Sequence, residues 1–449
     1  MALRRVPNLN ENKHRPPYNR SIGFGGTIPA EGCDLPEGFL KLIDVEEALA
    51  LLLEALPGEP RSRETVPAGG AVGRVCARDV LADEDLPGFD RSSMDGYAVN
   101  ASDTFGASEG LPAYLELRGE VLMGKSTTLE VAPGETAGIS TGAVMPEGAD
   151  AVVMVEHTQR EGDTIEVLRP VAPGENVIRR DEDVPEGAVA VPKGRRIGAG
   201  QAGVLAALGI LEVEVFARPV VGVISTGDEL VEVKDKPGPG QVRDVNSAAL
   251  SAAVELAGCE AKRYGIFGDE FDVLMEVSRR ALDECDAVII SGGSSAGVRD
   301  VTVDVIAKLG SPGLLAHGIY LKPGKPTLVG VCDGRPVLGF PGNPASAIAV
   351  FNELFEPMLG RLKGLEQVST ARPVSTVRAV MERPVSSGTG RLELVPVTLR
   401  EEDGKFFATP VPGRPNLIGT LARARGNVRI PKGVEGIAAG AEVEVELLD

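Results

Sequence analysis

Two loops of small residues carry the clearest chemical signal in this sequence, and each directly follows a short apolar stretch. The loop STGDE spans 225–229, and the loop SGGSS spans 291–295. Glycine lets a backbone approach a ligand closely, and successive backbone N–H groups suit an anion such as phosphate. Ordinary tight turns between strands and helices are the alternative interpretation. The candidate binding residues of the two loops are Ser225, Thr226, Gly227, Ser291, Gly292, Gly293 and Ser294.

Acidic side chains stand in or near these loops. Asp228 and Glu229 belong to the first loop, Asp269 follows the next predicted strand, and Asp300 follows the second loop. Carboxylates beside a bound phosphate suit Mg²⁺, because this ion bridges carboxylate and phosphate oxygens. Helix N-capping, which aspartate does well, is the alternative role for these positions.

Two further segments could bind an anion. Lys322 and Lys325 lie in the proline-restricted turn KPGKP, and they would supply the positive charge that an anionic substrate needs in a chain of net charge −19. Gly342 and Ser346 belong to the segment PGNPAS, which precedes a predicted helix and offers an N-terminal anion site. A solvated turn and a simple helix cap are the alternatives.

The composition argues against several classes of protein. A net charge of −19 is unfavourable for binding nucleic acid or anionic membranes. The five scattered cysteines form no CxxC pair, and the three histidines are far apart, which argues against a disulfide framework or a zinc site. No apolar run approaches the ~20 residues of a membrane span, and no secretory signal is visible. We therefore expect a cytoplasmic protein without nucleic-acid or membrane partners.

The elements that must position these residues begin with a polar segment, 1–37, which we expect to be a flexible tail. A helix is predicted to begin at Asp44, which would cap it. The region 82–183 alternates short apolar stretches with Pro-Gly turns, a pattern typical of a small β-rich lobe. We assign the flanking segments, 38–81 and 184–217, to one discontinuous domain that carries the inserted lobe.

The remaining chain predicts two more domains. Strands and helices alternate through 218–366, which indicates a parallel sheet with helices on both faces. Ligands bind such sheets outside the carboxyl ends of the strands, where both small-residue loops lie. Asn246 is predicted to cap the first of these helices. Residues 367–449 predict a C-terminal β domain, either a barrel or a sandwich. The expected fold class is multidomain α/β plus β.

Six motifs in this order resemble those of the molybdopterin molybdenumtransferase family, to which the gephyrin E domain belongs. The resemblance runs from about residue 38 to 449, and six ordered motifs are far more specific than one. The motifs are PGFDRSSMDGYA at 87–98, STGA at 140–143, STGDEL at 225–230, SGGSS with Asp300, KPGKP at 322–326 and PGNPAS at 341–346.

The resemblance implies a fold, an assembly and a reaction. The central three-layer α/β domain would be similar to molybdopterin adenylyltransferases, and the C-terminal domain would be barrel-like. The protein would be a homodimer whose cleft joins the α/β domain of one subunit to the β lobe of the other. Adenylylated molybdopterin and molybdate, or tungstate, would give molybdenum cofactor and AMP, with Mg²⁺ required. The adenylyltransferase and cofactor-accepting enzymes are further expected partners.

The resemblance also implies catalytic residues. The acidic positions that match the family cleft are Asp95, Asp228, Glu229, Asp269 and Asp300. Of these, Asp300 and then Asp228 are expected to hold Mg²⁺ and to support cleavage of the phosphate bond.

Other positions match residues of the family that bind substrate. Thr141 matches a cleft residue of the lobe, and Ser346 matches an oxyanion-binding position. Lys322, Lys325 and Arg391 are expected to bind the molybdate oxyanion, since convergent cations suit a tetrahedral dianion.

The chain departs from the family pattern at three places. Gly318 stands where many members have a lysine, 413–417 replaces a serine-rich stretch, and Asp181 replaces a turn glycine. Two alternative functions remain at this point: a molybdopterin adenylyltransferase and a non-enzymatic cofactor-binding scaffold. The sequence does not choose between molybdate and tungstate.

Overall fold

The computed structural model describes residues 42–292, 301–367, 374–412 and 417–448. The predicted N-terminal tail, 1–37, lies outside the described residues. Within them, no helix is both long enough and apolar enough to cross a membrane.

The region predicted to be α/β is built on a six-stranded mixed sheet. Its first four strands in spatial order are parallel, and the last two add an antiparallel edge. The central strands are buried along nearly their whole length, as expected for a sheet covered on both faces. In spatial order the strands are Glu260–Phe267, Val220–Thr226, Ala287–Ser291, Arg335–Phe340, Leu328–Cys332 and Pro312–His317.

Helices cover both faces of this sheet and form a three-layer unit, which confirms the predicted α/β architecture. Phe271–Glu284 and Val301–Leu309 share one core cluster with the sheet. The opposite face is covered by Asn246–Leu256 and by Pro344–Val350, which continues through a π-helical turn. That turn, Phe351–Phe355, leads into the helix Glu356–Leu362.

The helix predicted at Asp44 spans Val45–Ala55, and it packs against the α/β sheet. Its buried residues, such as Leu49 and Leu52, belong to the same core cluster as Phe340. Asp44 stands at the cap position, but its side chain makes no cap hydrogen bond and pairs instead with Lys432. The first helix therefore belongs by packing to the α/β core, although its sequence position placed it with the discontinuous domain.

The segments on either side of the lobe pair with each other. Arg63–Pro67 runs antiparallel to Glu212–Phe216, and Val80–Leu81 pairs with Val189–Val191. The helix Ala199–Ala207 packs on this small core. These contacts bring the chain back to the place from which the lobe departs.

The lobe contains a second six-stranded sheet, and its strands confirm the predicted β character of this region. Two further short strands, Arg91–Ser92 and Val177–Ile178, pair beside it. In spatial order the strands of the sheet are Ala151–Met154, Gly96–Val99, Glu135–Ile139, Ala113–Val121, Thr164–Val167 and Thr158–Glu161.

The C-terminal region forms a closed five-stranded barrel, the first of the two predicted alternatives. Closure removes exposed sheet edges, because the last strand in spatial order pairs with the first. The strands around the barrel are Leu392–Glu402, Lys405–Pro410, Thr376–Met381, Glu442–Leu447 and Gly426–Ile430. The short strand Leu321–Lys322 pairs in parallel with the start of Leu392–Glu402 and so joins the barrel to the α/β unit.

Several short elements complete the described chain. They are the paired strands Leu230–Val231 and Val242–Arg243, the paired strands Val385–Ser386 and Gly436–Ile437, the helix Ile418–Arg423, and the 3₁₀ turns Ala68–Gly70, Ala101–Thr104 and Val155–His157.

Two strand ends of the central sheet meet at a glycine. Gly292 follows Ala287–Ser291 with a φ of +125°, and a Cβ there would lie 1.9 Å from the carbonyl oxygen of Thr226. No L side chain fits this approach. The contact therefore requires glycine.

We expect Gly292→Ala to lower the free energy of unfolding by more than ~1 kcal/mol, because the methyl group overlaps a backbone carbonyl and the φ is unfavourable. Urea unfolding measures this. Gly342→Ala is the matched control, since its nearest heavy atom would lie 3.8 Å away. Equal losses in both variants would contradict the close approach.

The core of the α/β unit contains a pair of packed aromatic rings. Phe355 and Phe340 are fully buried and meet edge to face, with ring centroids 5.8 Å apart. Phe355→Ala should cost about 3–5 kcal/mol of unfolding free energy in the same assay. Phe105, which is 63% exposed, is the control, and its replacement by alanine should change stability by at most ~0.5 kcal/mol. A small loss at Phe355 would mean that the core repacks.

Candidate functional site

A cleft of about 850 Å³ lies at the carboxyl ends of three parallel strands. The position is the one that the strand order of an open α/β sheet favours for a ligand. Five of the residues predicted from the sequence lie in its wall: Thr226, Glu229, Ser291, Gly292 and Gly342. The other lining residues are Leu230, Pro237, Gln241, Val242, Arg243, Asp244, Val245, Asn246, Pro326, Pro341, Asn343, Pro344 and Ile418.

The acidic residues of the first loop border this cleft. Glu229 and Asp228 are exposed directly after the strand Val220–Thr226. The Thr226 hydroxyl donates a hydrogen bond of 2.6 Å to Oδ1 of Asp269, which follows the neighbouring strand. The strand order therefore brings Asp269 to the same edge of the sheet as Asp228 and Glu229, although it lies far from them in sequence.

These carboxylates fit the chemistry of Mg²⁺, which prefers oxygen ligands and keeps several waters. Within residues 42–292 and the other described ranges, no group of three or more His, Cys, Asp or Glu side chains is arranged as a metal site. One or two carboxylates together with substrate phosphate oxygens would suffice for this ion. Asp300, Gly293 and Ser294, which the sequence analysis also placed here, lie outside the described residues.

Asn246 is a cleft residue that the sequence analysis misjudged. The predicted cap role is wrong, because Asp244 accepts the hydrogen bond from the Ser247 amide and Asn246 already belongs to the helix. The Asn246 amide instead donates to Ser291 Oγ and to the Gly342 carbonyl, both at 2.9 Å.

That arrangement leaves polar atoms without partners beside the cleft. Asn246 is only 7% exposed, and its Oδ1 atom is buried without a hydrogen-bond partner in the structure. The hydroxyl of Ser225, at the end of the first strand, is in the same condition. Unpaired buried polar atoms cost free energy, so a ligand that pairs with them gains affinity. One signal could have identified Asn246 as a cleft residue: Asp244 lies two residues earlier and can cap the helix, which leaves the Asn246 side chain available for other contacts.

Lys322 lies at the junction between the α/β unit and the barrel. Its Nζ atom is 2.5 Å from Oε1 of Glu393, its register partner in the barrel strand. The second oxygen of Glu393 accepts a hydrogen bond of 2.6 Å from the Ser387 hydroxyl. Glu393 is 8% exposed, and it is a second site residue that the sequence analysis missed, because its partner lies far away along the chain.

The other predicted oxyanion residues, Lys325, Arg391 and Ser346, differ in position and in exposure. Lys325 is exposed in the same turn, and the adjacent Pro326 lines the cleft. Arg391 directly precedes the barrel strand and stands two residues before Glu393. Ser346 is buried in the first turn of its helix, so its burial favours a structural role in this chain.

Asp95 and Thr141 meet in the β lobe. Oδ1 of Asp95 accepts hydrogen bonds from the Thr141 amide at 2.7 Å and from its hydroxyl at 3.0 Å. The hydrogen bond from the Thr141 amide, and then the one from its hydroxyl, lower the pKa of Asp95, so this carboxylate stays ionised. Neither residue is among those that line the cleft described above.

Three family profiles together match most of the sequence between residues 43 and 448. They are described as "MoeA N-terminal region (domain I and II)" for residues 43–209, "Probable molybdopterin binding domain" for 222–361, and "MoeA C-terminal region (domain IV)" for 378–448. The cleft residues from Thr226 to Pro344 fall within the second match.

Named relatives and a solved structure agree with these matches. A molybdopterin molybdenumtransferase 2 of Mycobacterium tuberculosis is 34% identical, over 85% of this chain and 94% of the relative. The molybdopterin molybdenumtransferase of Bacillus subtilis is 32% identical, over 84% of this chain and 87% of the relative. A crystal structure of the molybdopterin biosynthesis moeA protein of Pyrococcus horikoshii is 35% identical with a TM-score of 0.75, covering 91% of this chain and all of that one. This chain belongs to the molybdopterin molybdenumtransferase family.

Proposed function

We propose that this protein inserts molybdate, or tungstate, into adenylylated molybdopterin and releases AMP, the last step in forming the molybdenum cofactor. The proposal rests above all on the large cleft at the strand ends, within the region matched by the molybdopterin-binding profile. It is supported by the names of the relatives that cover most of the chain.

The small-residue loops and the asparagine would bind the pterin and its phosphates. Gly292 lines the cleft without a side chain, so a ligand could approach its backbone closely, and Gly342 lines the cleft just before the helix Pro344–Val350. Oδ1 of Asn246 is a buried acceptor without a hydrogen-bond partner, and an N–H group of a pterin ring could donate to it. These features would orient the substrate against the strand ends.

The carboxylates beside this position would serve the release of AMP. Asp228, Glu229 and Asp269 would hold Mg²⁺ together with substrate phosphate, and we retain Asp300 as a proposed ligand. Bound there, Mg²⁺ would neutralise the phosphate charge that grows as AMP departs. Thr226 would keep the Asp269 carboxylate in place through its hydrogen bond.

The oxyanion would bind where the α/β unit meets the barrel. Lys322, Lys325 and Arg391 would supply the positive charge, and Glu393 would hold Lys322 until the dianion arrives. Because Glu393 is itself an anion, it would compete with weakly held oxyanions. This arrangement gives the barrel a direct role in substrate binding.

We further propose that the protein acts as a homodimer. Asp95 and Thr141 form an ionised, preorganised pair in the lobe, yet they do not line the cleft of their own chain. A second copy could bring its lobe to the cleft and complete it.

The decisive experiment incubates the purified chain with adenylylated molybdopterin, Mg²⁺ and either molybdate or tungstate, and follows AMP by chromatography. Oxyanion-dependent release of AMP is expected, and removal of Mg²⁺ with EDTA should stop it. Incorporation of AMP from ATP into molybdopterin would instead identify the adenylyltransferase alternative. Binding of molybdopterin with neither reaction would identify a scaffold.

We expect Lys322→Ala to raise the molybdate concentration for half-maximal AMP release about tenfold or more, since a charge-assisted contact is lost. Glu393→Gln should lower the same concentration a few-fold, because a competing anion is removed while the contact with Ser387 remains possible. Lys308→Ala removes an equal charge from a helix outside the cleft and should change nothing. A higher half-saturation in Glu393→Gln would mean that Glu393 positions Lys322 and does not compete.

A further inference from the structure

A second, much smaller cavity lies at the opposite edge of the central sheet from the cleft. It stands at the amino ends of two parallel strands, where Asp286 precedes Ala287–Ser291 and Arg335 begins Arg335–Phe340. Its enclosed space is about 20 Å³. Arg61, which follows the first helix, and Arg361, from the last helix of the α/β unit, complete the wall.

The guanidinium groups of this cavity lack hydrogen-bond and ion-pair partners among the described residues. The Nε atoms of Arg335 and Arg361 are buried without a hydrogen-bond partner. Across the described part of the chain, the three guanidinium groups form no ion pair. A buried donor of a charged group that lacks a partner is expensive, more so than a neutral one.

The two carboxylates in the wall are engaged elsewhere. Glu59 pairs with Arg63 at 3.1 Å and with Lys193 at 2.5 Å. Oδ2 of Asp286 accepts a hydrogen bond of 2.9 Å from the Val220 amide. The wall therefore combines three guanidinium groups with two carboxylates, and among the described residues neither carboxylate forms an ion pair with them.

The electrostatics agree with this description. Burial, and then the nearby charge of Arg61, lower the pKa of Arg335, while Asp283, Asp286 and Cys285 act in the opposite direction. The net direction follows mainly from the burial of the guanidinium, which the nearby acidic groups do not offset.

We propose that Arg61, Arg335 and Arg361, which we call the arginine pocket, bind a small inorganic oxyanion of the phosphate or sulfate class. Planar guanidinium groups present paired donors that match the oxygens of such anions. The enclosed space accepts one oxygen-sized group, so one oxygen would sit inside and the others at the mouth, near the exposed Arg61.

Binding would connect three separate parts of the chain: the segment after the first helix, a turn of the sheet, and the last helix. An anion that binds only the folded protein stabilises it by mass action. The pocket would therefore act as a stabilising site that is independent of the cleft.

The test uses the full chain carrying Lys325→Ala, so that oxyanion binding at the proposed site beside the barrel is weakened. Thermal unfolding is followed while phosphate, sulfate or chloride is added at equal ionic strength. Phosphate and sulfate should raise the midpoint by a few degrees more than chloride does. Equal shifts with chloride, or no shift at all, would overturn the proposal.

Arg335→Gln and Arg361→Gln, in the same background, should lose the extra shift. Arg78→Gln, which removes an equal charge from a side chain that is 70% exposed, should retain it. If a glutamine variant does not fold, Arg335→Lys, which keeps the charge, takes its place. In calorimetric titration the parent should bind one phosphate per chain, and Arg335→Lys should bind phosphate with lower affinity. An unaltered shift in both glutamine variants would place the phosphate elsewhere.

Discussion

The functional architecture depends on how closely the carboxyl ends of three parallel strands approach one another. Asn246 joins two of the loops there, because its amide donates to both Ser291 Oγ and the Gly342 carbonyl. Gly292 allows the third contact, against the Thr226 carbonyl, which any side chain would block. The cost of this arrangement is a buried Asn246 oxygen without a partner. The protein alone thus leaves a buried acceptor unpaired beside the cleft, and a ligand with a donor in the right place would pair with it.

The second constraint is charge. In a chain this acidic a cation readily pairs with a carboxylate, so the geometry of that pair decides where its positive charge lies. At the barrel junction, Lys322 is fixed by a partner that is itself held by a hydroxyl, so the pair has one geometry and not many. Register supplies this geometry: Lys322 and Glu393 are direct neighbours in paired strands. The barrel is therefore a structural part of the proposed oxyanion site.

The sequence predicted the parallel sheet of 218–366, because apolar runs that end in small-residue loops are local features. The antiparallel edge, Pro312–His317 with Leu328–Cys332, was not predicted, since the first of these strands begins with Pro-Gly, a pair typical of turns. The position of the first helix also required tertiary information: its apolar face is visible in the sequence, but the surface that covers it is not. Asn246 and Glu393 were missed for the same reason, because their roles depend on partners distant in the chain.

Buried polar atoms without hydrogen-bond partners lie at both ends of the central strands, but they differ in kind. At the carboxyl ends the unpaired buried atoms include an acceptor, Asn246 Oδ1, so the matching ligand must bring a donor. At the amino ends they are donors, the Nε atoms of Arg335 and Arg361, so the matching ligand must be an acceptor and, given the charge, an anion. The two sets of unpaired atoms lie at opposite ends of the strands, so the proposed pterin site and the proposed arginine pocket are separate sites on a single sheet.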